Sequence, residues 1–235
     1  MDEKNRLLEK ACEIFEKKIF QNLINNGLKK HSKLSSYNVN PFLIYYLSNF
    51  GFGNSDPLSL AKSLMYPRIL GSSVSTSFGS NVQNMVVDIF SNVRGSVGGG
   101  LDIEFEDKVD GRYKYCQLKS GPNTINSKDV DPIIDELHGG YRLLRQNGDR
   151  DVRIEDICVG VLYGEYDSLS THYKNIENRF PVLIGEDLWY RISGYEDFYN
   201  CLIKRLTNLA NNHNAKSKLD EACQNLAKQI EKIKI

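Results

Sequence analysis

The sequence predicts an α/β domain with a mixed central sheet that contains a β-hairpin, flanked by helices and helical at both chain ends. Three observations predict it. Near both termini apolar residues recur at three- and four-residue spacing, the period of a helix buried on one side. The centre switches to strict two-residue alternation in LDIEFE (101–106) and YKYCQLK (113–119), the period of a strand. The run DICVGVLYG (156–164) is continuously apolar, as in a strand covered on both faces.

The elements follow in order. Leu7, Leu8, Ala11, Ile14, Phe15, Ile19 and Leu23 place an amphipathic helix over about 5–26, with Gly27 as its stop. NVNPFLIYYLSNFG (38–51) opens with a turn-like Asn-Pro and then reads as a buried helix ending at Gly51. Asp56 and Pro57 form an N-cap and first-turn proline for a helix through Met65. YPRILGSSVSTSFG (66–79) is small and polar and leads into a helix over 78–91, with Val82, Met85, Val86 and Ile89 on one face. The two alternating strands are joined by DKVDGR, whose Asp110-Gly111 is a strong hairpin signal. A helix over 127–146 carries the stripe Ile133, Ile134, Leu137, Tyr141 and Leu144. PVLIG (181–185) is a second short strand, and helices over 186–192, 195–211 and 215–234 close the chain. At 235 residues the chain can bury a core without staples. It reads as one domain over 1–235, with a helical N-terminal part (1–65) and C-terminal helices (195–235).

Composition narrows the function classes. Hydrophobic residues make up 40% and charged residues 26%, which excludes wholesale disorder and a fibrous protein. No apolar run approaches the ~18 residues of a membrane span. MDEKNRLLEK is charged from its second residue, unlike a secretory signal. The five cysteines are scattered, odd in number and never CxxC, so a reduced, cytoplasmic chain without disulfides or a zinc module is expected. The glycines of 95–100, including Gly98, Gly99 and Gly100, lack the Lys-Ser/Thr of a phosphate loop. His31, His138, His172 and His213 form no ligand pair. Cys116 reads as core filler, and Trp189 and Tyr190 as packing residues.

Thirty basic and thirty acidic residues cancel. Their distribution is uneven: +3 over 1–33, −4 over 101–110 and +4 over 203–235. Basic ends around an acidic centre suit a chain that grips a polyanion and holds a cation in the middle; ordinary solvated helix faces would give the same count.

The hairpin carries the chemistry. A two-residue turn at Asp110-Gly111 would pair Asp102 with Lys119, Glu104 with Gln117 and Glu106 with Tyr115. Alternation then puts all six on one face, with Leu101, Ile103, Phe105, Cys116 and Leu118 on the core face. Carboxylate and carboxamide oxygens suit Mg²⁺, which completes its shell with water and phosphate oxygens. A neighbouring lysine can orient an attacking water or neutralise charge on a phosphate. The bland alternative is a solvated hairpin face with a cross-strand ion pair.

These residues, D-x(14)-Q-x-K within GGGLDIEFED and YCQLKSGPNTI, resemble the PD-(D/E)XK nuclease superfamily in its Q-x-K variant. More narrowly, the chain resembles type II restriction endonucleases, especially those cutting GG-N-CC-like sites. NVNPFLIYYL, YPRILGSSVSTSFG, the hairpin with QLKSG, and CVGVLYG followed by a Trp-bearing helix carry the likeness over roughly 38–205. It implies a restriction-endonuclease-like fold and Mg²⁺-dependent cleavage of duplex DNA, with Mn²⁺ able to substitute. It also implies a homodimer acting at a short palindromic site, in a prokaryotic cytoplasm beside a companion DNA methyltransferase. Asp102 would be the metal-binding aspartate, Gln117 would stand where a glutamate is usual, and Lys119 would be the catalytic lysine. Leu101 replaces the usual proline. Gln117 is neutral: either its carbonyl oxygen suffices, or Glu104 supplies the missing charge to the metal, or activity is lost. Ser73, Ser75 and Thr76, read as a helix start, could receive phosphates. Ser120, Asn123 and Thr124, just after Lys119, could contact the DNA backbone. A nonspecific or repair nuclease of the same superfamily, and a non-catalytic DNA-binding protein, are the alternatives.

Overall fold

The computed structural model describes residues 2–96, 99–148, 151–212 and 215–232; Gly98, His213 and the end of the last expected helix lie outside them. The chain forms two compact units. One comprises 1–14 and 79–206, the other 15–78 and 207–235.

The first unit holds a five-stranded sheet in sequence order: β1 (Val93–Gly95), β2 (Ile103–Glu106), β3 (Tyr113–Lys119), β4 (Ile157–Val161) and β5 (Val182–Ile184). β1, β2 and β3 run antiparallel, whereas β3, β4 and β5 run parallel. This is the expected mixed α/β architecture. β1 was not expected: VRG is too short to show alternation, and it exists because β2 offers it a ladder.

Parallel neighbours need crossovers, and helices supply them. α6 (Ser127–Gln146) links β3 to β4, and α7 (Thr171–Glu177), unpredicted, links β4 to β5. α6 starts at a reciprocal capping box between Asn126 and Asp129. Its stripe Ile133, Ile134, Leu137 and Leu144 joins Tyr115, Val159, Val161, Val182 and Ile184 in one core. Helices α8 (Glu186–Ser193) and α9 (Phe198–Asn212) bring Leu188, Trp189 and Phe198 to a second aromatic packing site around Phe90. Trp189 donates its indole N–H to the Leu162 carbonyl, 2.8 Å away, as a packing residue with a satisfied polar edge.

The hairpin register differs from expectation by two residues. Glu104 pairs with Tyr115 and Glu106 with Tyr113, and not with Gln117 and Tyr115. Asp110-Gly111 does not make a two-residue turn. Instead Asp107 N–H donates to the Arg112 carbonyl (2.9 Å), closing a four-residue loop that ends at Gly111 with φ +70°. Asp107, fully buried and paired with Arg191, anchors the loop, and its carboxylate accepts from Val109 N–H. Sequence spacing cannot see that anchor. An even slip keeps every paired side chain on its face, so Glu104, Gln117 and Lys119 still share one, while Asp102 lies just outside the paired residues. Glu104 and Gln117 are nevertheless buried.

Beside the loop, Arg112 and Lys114 converge on Asp156, which is buried. Burial alone would raise this carboxyl, but Arg112, the Arg153 N–H and Lys114 overcome it and hold it down at about 2.

The second unit is helical. α1 (Glu3–Phe15), which begins in the first unit, runs on through two wider turns (Glu16–Phe20 and Leu23–Gly27) into α2 (Leu28–His31). Gly27 is therefore no stop; its φ of −62° is helical. α3 (Pro41–Phe52), α4 (Pro57–Tyr66) and α10 (Ala215–Lys232) share a core of Ile44, Leu60, Ala61, Met65, Cys223, Leu226 and Ile230. Asn40 and Asp56 cap α3 and α4 by accepting from Phe42 N–H and Ser59 N–H. α3 is not the buried helix its apolar sequence implies: only Ile44 and Ser48 are buried. The polar stretch after Tyr66 is not a loop either. Pro67–Ser73 forms a wide helical turn that continues directly into α5 (Val74–Ile89). No helix in the described residues is long and apolar enough to cross a membrane.

Asp156 generates a stability prediction. Its depressed pKa means the stabilisation is present above the ordinary carboxylate range and is lost as pH falls through about 4 towards 2. Asp156→Asn should lower stability at pH 7 by about 3 kcal/mol, because Arg112 and Lys114 lose their buried counter-charge. It should also flatten the acid limb of the stability curve, as measured by urea unfolding at stepped pH.

Candidate active site

Asp102 stands one residue ahead of β2, where the hairpin strands part. Its N–H donates to the Cys116 carbonyl (2.9 Å), while its Oδ2 accepts from Leu118 N–H (2.7 Å). Its own carbonyl accepts from Gln83 Nε2 of α5 (2.7 Å). The side chain thus replaces a main-chain rung and is held on both sides. Asp102 itself lies just outside the paired register, which ends at Ile103–Cys116, and shares the Cys116 carbonyl side of that last pair. The expected direct pairing of Asp102 with Lys119 is not made, but Lys119 remains near enough to favour the ionised aspartate.

Gln117 is 6% exposed. Its amide nitrogen donates to the Gly100 carbonyl (3.0 Å) and to Glu136 Oε2 (2.5 Å). Both partners only accept, so the nitrogen must face them and the amide orientation is settled by chemistry. Oε1 is then left buried without a hydrogen-bond partner. An orphaned carbonyl oxygen costs free energy unless something electropositive meets it.

Glu136 is the residue sequence reasoning missed. It comes from α6, beside the apolar stripe, and reaches the site because Gly100 lets the helix approach. A Cβ on Gly100 would lie 2.7 Å from Glu136 Cβ, and Gly100 has φ +80°. Gly100 therefore makes room for a helix. No period or spacing marks Glu136; only the crossover topology brings α6 over the hairpin face.

Asp102 titrates above the ordinary carboxylate range. Burial is the main cause, and Glu136 adds to it; Leu118 N–H and Lys119 partly offset the rise. Lys119 ends β3 and lines a cavity of about 440 Å³ with Ser120, Thr124, Asp129 and Glu136. Asp129 and Glu136 are seven residues apart on α6, hence on one face. Among the described residues no three acidic, His or Cys side chains converge into a metal cluster. The donors here are instead two carboxylates and one carboxamide oxygen, all hard ligands. That set fits Mg²⁺, which keeps much of its water shell and takes one or two carboxylates.

The other expected positions distribute as follows. Glu104 is 3% exposed, and its Oε1 accepts from Arg94 Nε of β1 (2.7 Å). Ser120 and Thr124 line the cavity, and Thr124 Oγ1 lies 2.9 Å from the Tyr173 hydroxyl. Asn123 is exposed beside them. Ser73, Ser75 and Thr76 belong to the second unit and do not start a helix. They sit within the continuous helical run from Pro57 to Ile89, where Ser75 Oγ donates to the Gly71 carbonyl (2.8 Å), four residues back. Internal amides there are spent in the helix, so no helix-start donors remain for a phosphate. Cys116 is buried, and burial pushes its thiol pKa well above the ordinary value, which makes it filler.

The chain thus joins a mixed sheet, an acidic hairpin, a strand-end lysine and an adjoining polar cavity. The family model of type II restriction endonuclease EcoO109I matches residues 2–214, through both units. The chain belongs to that family, and is accordingly a nuclease acting on DNA. No curated protein matches it.

The raised pKa of Asp102 has a sign consequence. A carboxyl raised in the folded state favours folding while protonated, and this contribution is lost as pH rises through its folded value. Asp102→Asn, which can still accept from Leu118 N–H, should therefore leave the metal-free melting temperature at pH 7 unchanged or higher, and should remove any upward shift caused by Mg²⁺. Differential scanning calorimetry with EDTA and with Mg²⁺ checks both.

Proposed function

We propose that this chain is a Mg²⁺-dependent type II restriction endonuclease that hydrolyses phosphodiester bonds in duplex DNA at a short palindromic site. In this reading it acts as a homodimer in a prokaryotic cytoplasm beside a companion methyltransferase, with 1–235 as one restriction-endonuclease-like domain and Mn²⁺ able to replace Mg²⁺. The orphaned, buried Gln117 Oε1, on a side chain whose nitrogen is held by Glu136, carries the reading: it is an oxygen suited to a cation, in a family that cleaves DNA.

Asp102, Gln117 through Oε1, and Glu136 would hold the cation. When bound it would supply charge neutralisation and Lewis-acid polarisation of the phosphate. Lys119, at the cavity edge, donates to the phosphate oxygen on which charge develops and orients the attacking water. Ser120 and Thr124 position the DNA backbone in the same cavity, and Asn123 lies next to them in the same loop. The charge that Gln117 lacks is supplied by Glu136, because Glu104 is already committed to Arg94. Gln117 serves both roles at once: its nitrogen fixes Glu136, and its oxygen faces the cation.

Cleavage of a mapped plasmid tests the reading. Discrete fragments with Mg²⁺ and none with EDTA are expected, whereas a smear would indicate a nonspecific nuclease and intact DNA a binding protein. Lys119→Ala should reduce the cleavage rate by roughly 10²–10³-fold and leave binding of cognate duplex within a few-fold in a gel-shift assay.

A second test concerns the carboxylate that moved. Gln117→Glu places an anion against Glu136 and should impair cleavage, although it restores the commoner motif. Exchanging both groups, Gln117→Glu with Glu136→Gln, rebuilds one donor amide against one carboxylate and should recover most of the activity. If the single Gln117→Glu variant outperforms the double exchange, Glu136 is not the second acid.

A further inference from the structure

α3 is chemically unlike the rest of the surface. Between Pro41 and Phe52 it has no charged residue, yet Phe42 (89% exposed), Tyr46 (66%) and Phe50 (81%) follow at four-residue spacing along one side. Leu43 and Leu47 stand exposed beside them, and Tyr46 and Phe50 stack with ring centroids 6.2 Å apart. The inner side is already satisfied, with Ile44 in the core and Ser48 Oγ donating to the Asn54 carbonyl. Folding of this unit therefore does not need the outer stripe.

We propose that the outer stripe of α3 is where a second copy of this chain docks, across a two-fold axis near Tyr46. The inference rests on the homodimer reading above and names its surface. Three arguments favour a second copy. The exposed aromatic and leucine side chains of α3 present on the order of 700 Å², close to the roughly 800 Å² each partner gives to a stable interface. Apolar patches of that size are rare on chains that remain monomeric. The stripe also lacks both signs of charge. The one cation beside α3, Lys62, lies 6.0 Å from the Phe52 ring at the helix end, off the stripe of Phe42, Tyr46 and Phe50, so duplex phosphates would find no row of cations there, and an acidic or basic partner little counter-charge. An identical apolar stripe matches it without conflict, and a two-fold contact requires such self-complementarity. Side chains four residues apart form the ridge that packs two helices together.

The test uses the full-length chain in three forms: wild type, Phe42→Lys with Phe50→Lys, and Tyr46→Cys. Sedimentation equilibrium should find the wild type dimeric at micromolar concentration. The lysine variant should self-associate roughly 100-fold more weakly or not at all, with wild-type circular dichroism, since both replaced side chains are exposed. Under mild oxidation Tyr46→Cys should form a covalent dimer beyond the background of the wild-type cysteines. A folded lysine variant that stays dimeric overturns this surface and leaves the homodimer standing. A wild type that is monomeric, with and without duplex DNA, overturns both. If the lysine variant does not fold, absence of the Tyr46→Cys cross-link in a dimeric protein overturns the surface by itself.

Discussion

The site depends on one constraint, the double anchoring of Asp102 to β3. Its N–H and carboxylate bond to Cys116 and Leu118 in succession, so the main-chain ladder ends by way of a side chain. This pins the hairpin register at its open end, as the buried Asp107 does at the loop end. With both ends fixed, Lys119 lies beyond the hairpin pairing, at the end of the β3–β4 ladder, and lines the cavity. The same anchoring goes with burial of the Asp102 carboxyl, which raises its pKa.

The crossover helix α6 turns that patch into a site. It covers the hairpin face that a two-stranded ribbon would leave in water, and in doing so it delivers Glu136. Gly100 makes the approach possible sterically. Electrostatics then explains the glutamine. With Glu136 Oε2 at 2.5 Å from the Gln117 amide, a glutamate in the strand would put two anions in contact beside a third, Asp102. A carboxamide bonds one neighbour with its nitrogen and still offers an oxygen, so neutrality at position 117 is the complement of the charge at 136.

The helical unit follows a different logic. Its small and polar residues, Gly71 to Ser77, look like a loop by propensity, yet they continue a helix, within which Ser75 Oγ bonds back to the Gly71 carbonyl one turn earlier. Its most apolar helix, α3, is exposed, because Ile44 and Ser48 are enough to seat it. Apolar sequence signals a surface that must be covered, and does not say whether the same chain covers it.

Local period alone determined much of this protein. Alternation located β3 to the residue, continuous apolarity located β4 and β5, and capping residues with a 3.6-residue stripe located α4 and α6. Parity placed Glu104, Gln117 and Lys119 on one face, and it survived a register error because the slip was even. Wherever a distant residue decided the outcome, the sequence was silent. The hairpin loop was set by a buried aspartate and an arginine from α8, β1 existed only as β2's neighbour, and Glu104 was claimed by Arg94 across the sheet. The Glu136 carboxylate that meets the Gln117 amide came from a helix that only the crossover carries over the hairpin. Spacing encodes which way a side chain points within its own element. Which other element stands there is set by packing and by charges that must find partners, and tertiary structure alone decides that.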